Sequence, residues 1–170
     1  YYQVMNRVVG EALGGLHSAR MVLYSVEFQE IEGLQHAGRW AEAGEILASA
    51  GRAVERAGAD FLVLCTNTMH KVAPQIEAAV GVPLLHIADA TASRVKAAGL
   101  GRVGLLGTRF TMEQAFYRER LSDRHGLQVI VPSAPDREIV HRIIYEELCL
   151  GIVRAASRDE YQRVMRSLAA

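Results

Sequence analysis

Three observations predict an α/β fold built on parallel strands. Short apolar runs alternate with longer helical patterns along the chain. The run Phe61 to Leu64 changes abruptly into Cys65, Thr66, Asn67 and Thr68, so small polar groups fall where a strand ends and a helix begins. In open parallel sheets ligands collect at that edge, where backbone N–H groups converge. Finally, residues 57–68 and 98–108 echo each other as helix end, glycine, apolar strand and polar turn. Two such halves facing each other would set Thr66 to Thr68 and Thr108 to Thr111 across one cleft.

Taken in order, Tyr1 to Leu13 reads as a helix, with Val4, Met5, Val8, Val9 and Ala12 at helical spacing and Gly14-Gly15 as its stop. Arg20 to Val26 reads as a strand, and Glu27 to Gly38 as an irregular or helical crossover carrying Gln35. Trp40 to Ala57 is an alanine-rich helix closed by Gly58. A helix follows the Phe61–Leu64 strand from about Lys71 to Gly81, and Val82 to Ile87 is the next strand.

From Asp89 the scheme restarts. It gives a helix over Ala90 to Ala98, a strand over Arg102 to Leu106, a helix over Met112 to His125 and a strand over Gln128 to Val131. Asp136 to Leu150 is helical. Ser157 and Glu160 are spaced as a capping box for a last helix, Arg158 to Ala170. The expected domains are 1–88 and 89–170. The chain begins within a helix and stops where another strand is due, so the first strand and a C-terminal portion are expected to be missing from it.

Lys plus Arg equals Asp plus Glu at 19 each, which leaves no net field to attract nucleic acid or an anionic membrane. No apolar run approaches the ~20 residues that span a bilayer, and no nucleic-acid or membrane partner is expected. Two cysteines without a short pairing pattern suggest reduced thiols and a cytoplasmic setting.

Several motifs favour the plainer reading. Gly101 to Thr108 suggests a glycine-rich phosphate loop, yet Gly104 lies within the strand, whereas a dinucleotide loop needs its glycines after it. Cys149 sits on an apolar helical stripe and reads as core. Glu146 and Glu147 read as solvated helix charges, or one of them as facing the cleft. His70 and Met69 could simply pack or cap, and His86 lies in a run of aliphatic residues. No histidine pair has metal-ligand spacing, so no metal site is expected. Thr66-Asn67-Thr68 is different, because three consecutive hydrogen-bonding side chains at a strand end form a plausible carboxylate cradle.

The run Cys65-Thr66-Asn67-Thr68-Met69-His70, with Leu84 to Asp89 and Gly107 to Met112, closely resembles the cofactor-independent aspartate/glutamate racemase family, and within it the bacterial broad-specificity amino-acid racemase branch. The resemblance covers essentially the whole chain. It implies two similar α/β domains enclosing a cleft, a small amino-acid substrate, no cofactor, and a homodimer, since family members are commonly dimeric. It also implies a two-base mechanism, in which one residue takes the Cα proton and a partner on the opposite face returns one. Thiols suit both roles near neutral pH.

Two departures from the family pattern shape the expectation. The family's first cysteine directly precedes Asn-Thr, whereas here Thr66 does and Cys65 comes one residue earlier. Strand side chains alternate faces, which favours Thr66 over Cys65 for the catalytic position. A hydroxyl is a far poorer base than a thiol, so a slow or one-sided racemase is expected. The family's second cysteine, in a Gly-Cys-Thr-Glu run, and its opening Gly-Gly-x-Ser loop do not occur here. The second base is expected beyond Ala170, and the fragment alone is expected to be inactive. By the same likeness Asn67 and Thr68 would hold the substrate carboxylate, Gln35 would touch its side chain, and Thr108 would supply a polar wall. Related isomerases or decarboxylases, such as hydantoin racemase or maleate isomerase, and a non-catalytic dicarboxylate-binding module are the alternatives.

Overall fold

The computed structural model describes residues 1–169 and has the α/β character predicted, with short parallel strands among many helices. Its contacts divide into two units. The first comprises Tyr1–Cys65 and Val72–Leu85, and the second Thr66–Lys71 together with the chain from His86 onward. A 3₁₀ turn, Thr68–Val72, follows the Cys65–Asn67 segment.

The first unit opens with α1, Tyr2–Leu13, none of whose residues is buried. Residues 20–26, expected as a strand, form none. Val22, Leu23 and Tyr24 are exposed, and the segment pairs with no strand among the described residues. An apolar run becomes a strand only where a neighbour completes its ladder. Nearby, the Ala19 N–H donates to the Asn6 side chain at 3.1 Å.

The crossover that follows is helical, as α2, Phe28–His36, with Glu27 capping it by accepting from the Gln29 N–H at 3.0 Å. Helix α3, Trp40–Arg56, buries Ala43, Gly44, Leu47, Ala48, Ala50 and Gly51, a stripe of mostly small residues, and α4, Ala73–Ala79, packs on it. A Cβ at Gly51 would sit 3.3 Å from both Leu62 and Val80, so the glycine permits the close approach. Strands β1, Leu62–Val63, and β2, Leu84–Leu85, pair in parallel, Leu62 opposite Leu84. Leu62 and Leu84 turn inward with Ile76, Ala73 and Leu47. Burying a leucine side chain stabilises by ~1.5–3 kcal/mol, enough for these few contacts to orient so short a sheet.

In the second unit α5 spans Ile87–Ala97, β3 Arg102–Gly104, α6 Arg109–Glu113 and α7 Ala115–Glu119. A π-helical turn, Arg120–Arg124, then leads to β4, Gln128–Ile130, which pairs in parallel with β3. Helix α5 starts three residues earlier than the sequence suggested, because His86 ends the strand and caps the helix. The single helix expected over Met112 to His125 is broken at Gln114, whose backbone is extended (φ −89°, ψ 152°).

Two apolar clusters form this unit's core. Ala88, Ala92, Tyr117, Leu121 and Leu127 make one, and Met112, Val140 and Val164 the other. The last helices are α8, Ala134–Glu146, and α9, Ala155–Ala169, separated by the 3₁₀ turn Leu148–Leu150. A Cβ at Gly104 would lie 3.1 Å from Leu168, which accounts for a glycine within β3 where α9 covers it.

Three side chains here depart from expectation. Ser157 does not cap α9, which already begins at Ala155. Its hydroxyl donates instead to both carboxylate oxygens of Glu147, at 2.9 and 2.8 Å. Glu147 is accordingly buried rather than solvated, while Glu146 stays exposed. Cys149 is exposed rather than core, because Glu147 leaves helical geometry (φ −128°, ψ −65°) and rotates the thiol off the apolar stripe of α8. Ala170, the expected end of the last helix, lies outside the described residues. No described helix is long and apolar enough to cross a membrane.

Candidate active site

Burial alternates along the organising run. Leu62 is buried and Leu64 and Thr66 are half-buried, whereas Phe61, Val63 and Cys65 are exposed. The alternation continues past the end of β1, so Cys65 and Thr66 stand on opposite sides of the chain. In the first unit the Cys65 thiol lies 3.8 Å from the Val63 carbonyl, and partial covering of the sulfur pushes its pKa up from the ordinary thiol value. A higher pKa means less thiolate at neutral pH. Gln35, also in the first unit, is 3% exposed on the inner side of α2.

In the second unit Thr66, Asn67 and Thr68 form a tight turn governed by His70. The His70 backbone N–H donates to the Asn67 carbonyl at 3.1 Å, and its ring Nδ1 lies 2.6 Å from the Thr66 carbonyl. Ring Nε2 accepts from the Ile87 N–H at 3.2 Å. An acceptor nitrogen carries no proton, so the proton sits on Nδ1 and is donated to Thr66. Asn67 is exposed and Thr66 half-buried, whereas Thr68 is buried.

Thr68 and Thr108 are brought together, with their hydroxyl oxygens 2.9 Å apart. Thr108 also caps α6, accepting from the Thr111 N–H at 3.3 Å, and the Thr111 hydroxyl lies 3.3 Å from the same oxygen. Gly107 makes room for this arrangement, since a Cβ there would lie 3.2 Å from Thr111. The next N–H, that of Arg109, donates to His141 Nδ1 at 3.2 Å.

Behind the turn lies a polar group drawn partly from the Leu84–Asp89 run, whose mutual contacts the sequence did not suggest. The His86 ring packs edge-on against His70, centroids 4.3 Å apart, and its Nδ1 accepts from the Ala88 N–H. Asp89, in the first turn of α5, takes a forked hydrogen bond from Arg120 at 2.8 and 2.7 Å and lies 2.8 Å from His125 Nε2. Arg120 first, and then His125, hold the Asp89 carboxyl well below the usual carboxylate range. Burial pushes the His70 imidazole down. Burial, followed by the neighbouring His70 and Arg120, lowers His86 to about 4. Both rings are therefore neutral near pH 7. Asp89, three residues after a capping residue, was the one signal for this group; histidine is an uncommon cap and hides it.

Grooves occur between α2 and α3, at Gly33, Glu42 and Ile46, and along β3 and α9, at Val103, Met165 and Leu168. Neither is lined by residues 65–68 or Thr108.

The chain is an α/β protein whose polar turns follow short parallel strands, and comparison with known proteins identifies its family. Residues 1–170 match the Asp/Glu/hydantoin racemase family throughout, and the chain belongs to that family. It is 58% identical to a candidate Asp/Glu racemase from Yersinia pestis known from its crystal structure. That match covers 99% of this chain and 74% of the other, with a TM-score of 0.90. The structure of an aspartate racemase homologue from Pyrococcus horikoshii OT3 is 34% identical over 89% of this chain and 66% of its own, with a TM-score of 0.72. Among curated proteins, the broad specificity amino-acid racemase RacX of Bacillus subtilis (strain 168) is 24% identical over 115 residues. These are 68% of this chain and 45% of RacX, so the chain spans less than half the length of that relative.

Proposed function

We propose that the protein racemises aspartate, glutamate or both, removing and returning the Cα proton without a cofactor. The observation that carries the reading is the family match along residues 1–170, within which the run Cys65 to Thr68 falls at the end of a parallel strand. Asn67 and Thr68 would hold the substrate carboxylate, and Thr66 or Cys65 would face Cα. Thr108, bonded to Thr68, would complete the polar wall. Gln35 is a lower-ranking contact for the substrate side chain; buried in α2, it needs local opening to serve. In the forward step the base takes the proton from Cα, leaving a carbanion-like centre that donors at the carboxylate stabilise, and an acid on the opposite face returns a proton.

Deuterium uptake at Cα of each enantiomer of aspartate and glutamate, using the protein from its full coding sequence, is the test. Uptake with at least one enantiomer supports the reading, and no uptake with any of the four sinks it. A second reading, dicarboxylate binding without turnover, is favoured by the weakness of the two candidate bases, since Thr66 is a hydroxyl and the Cys65 pKa is raised. Saturable aspartate binding with no Cα exchange selects it.

A further inference from the structure

We propose that His70 is a positioning residue for the carboxylate cradle, acting through the backbone of Thr66 and Asn67; the role rests on the function proposed above. The Thr66 carbonyl is taken by the His70 ring and the Asn67 carbonyl by the His70 N–H. Carbonyl oxygens repel a carboxylate, and N–H groups attract it. With two consecutive carbonyls drawn onto one residue, N–H is the backbone polarity that Thr66 and Asn67 have left to offer a ligand.

The ring can hold this geometry because it is itself held. It is 1% exposed, its Nε2 is fixed by the Ile87 N–H at the start of α5, and its face is closed by the edge of His86. Both ring nitrogens are occupied, so His70 has none free to shuttle a proton. Its influence on the substrate passes through Thr66.

The test compares His70→Gln with His70→Asn in the full-length protein. The Gln amide reaches the Nε2 position and keeps the Ile87 contact, whereas the Asn amide sits near Nδ1 and can donate to Thr66. Carboxylate positioning is felt in binding, so KM for aspartate Cα exchange is expected to rise about tenfold or more in His70→Gln with kcat changed far less. His70→Asn should recover most of that loss. Equal KM values in His70→Gln and wild type, or a His70→Asn as defective as His70→Gln at wild-type Tm, overturn the role.

A ligand titration separates this outcome from failure of the racemase reading. Malonate is expected to shift the Thr66, Asn67 and Thr68 amide resonances in wild type and His70→Asn, and much less in His70→Gln. If no enantiomer exchanges, the racemase reading falls and this titration alone decides; wild-type amides that ignore malonate overturn the positioning role. Should His70→Gln fail to fold, Ile87→Pro replaces it. Proline suits the first position of α5, where Ile87 stands, and it deletes the N–H that fixes the ring. The same loss of malonate response is expected, and an unchanged response counts against the role.

Discussion

Thr68 and Thr108 share a 2.9 Å hydrogen bond between hydroxyls although 40 residues separate them. Thr68 begins the 3₁₀ turn after the strand-end run, and Thr108 caps α6 in the same unit. One contact thus joins, within one unit, two polar turns that the sequence pattern had set on facing halves across a cleft.

The two threonines are unequal, which gives a stability prediction. Thr68→Val leaves Thr108 still accepting from Thr111, and should cost about 1 kcal/mol. Thr108→Val removes the cap and also strands the buried Thr68 hydroxyl, for about 2–3 kcal/mol. The double variant should cost no more than Thr108→Val alone, because Thr68→Val also removes the hydroxyl that Thr108→Val strands. Urea midpoints of the four proteins check this.

Acid should weaken the fold in two stages. His70 and His86 have folded pKa values below the unfolded value of about 6.5. Their contribution is therefore fully present above that pH and is lost as pH falls towards the folded values, about 4 for His86. Asp89, also depressed, contributes above the unfolded carboxylate pKa of about 3.9 and is lost only below it. Tm should decline between about pH 6.5 and 4, then more steeply. His86→Gln should flatten the first stage and leave the second.

Asp89→Asn should destabilise by about 1.5–3 kcal/mol, since the Arg120 side chain, 19% exposed, loses its forked partner. Arg120→Lys should also destabilise, because an ammonium cannot reproduce the two parallel bonds to Asp89. Thermal unfolding of both variants is the measurement, and full stability in Arg120→Lys would count against the geometry.

The catalytic register can be read from two variants. If Thr66 holds the base position, Thr66→Cys should quicken Cα exchange by about tenfold or more, as a thiolate replaces an unactivated hydroxyl. If instead Cys65→Ser abolishes exchange and Thr66→Cys changes nothing, Cys65 is the base.

The α/β alternation and most helices were legible because glycine stops and helical spacing are local signals. The Thr68–Thr108 pairing was half-visible, through the echo of two strand-to-turn segments. What the sequence hid is side-chain capture of backbone groups. His86 capping Ala88 and His70 fastening two carbonyls act within four residues, but histidine in those roles leaves no pattern to read, whereas Glu147 claiming the Ser157 hydroxyl depends on a partner brought in by folding. Residues 20–26 failed for a related reason, since an apolar run says nothing about whether a partner strand lies beside it.

The parallel pairings also bear on how the chain reaches its fold. Leu62 meets Leu84, and Arg102 meets Gln128, only after an entire helical crossover lies between them. Neither sheet can zip outward from a tight hairpin, so each must wait for its intervening helices to collapse into place. Closing those segments costs chain entropy before the strand contacts can offset it, so assembly is expected to be slower than for a local hairpin.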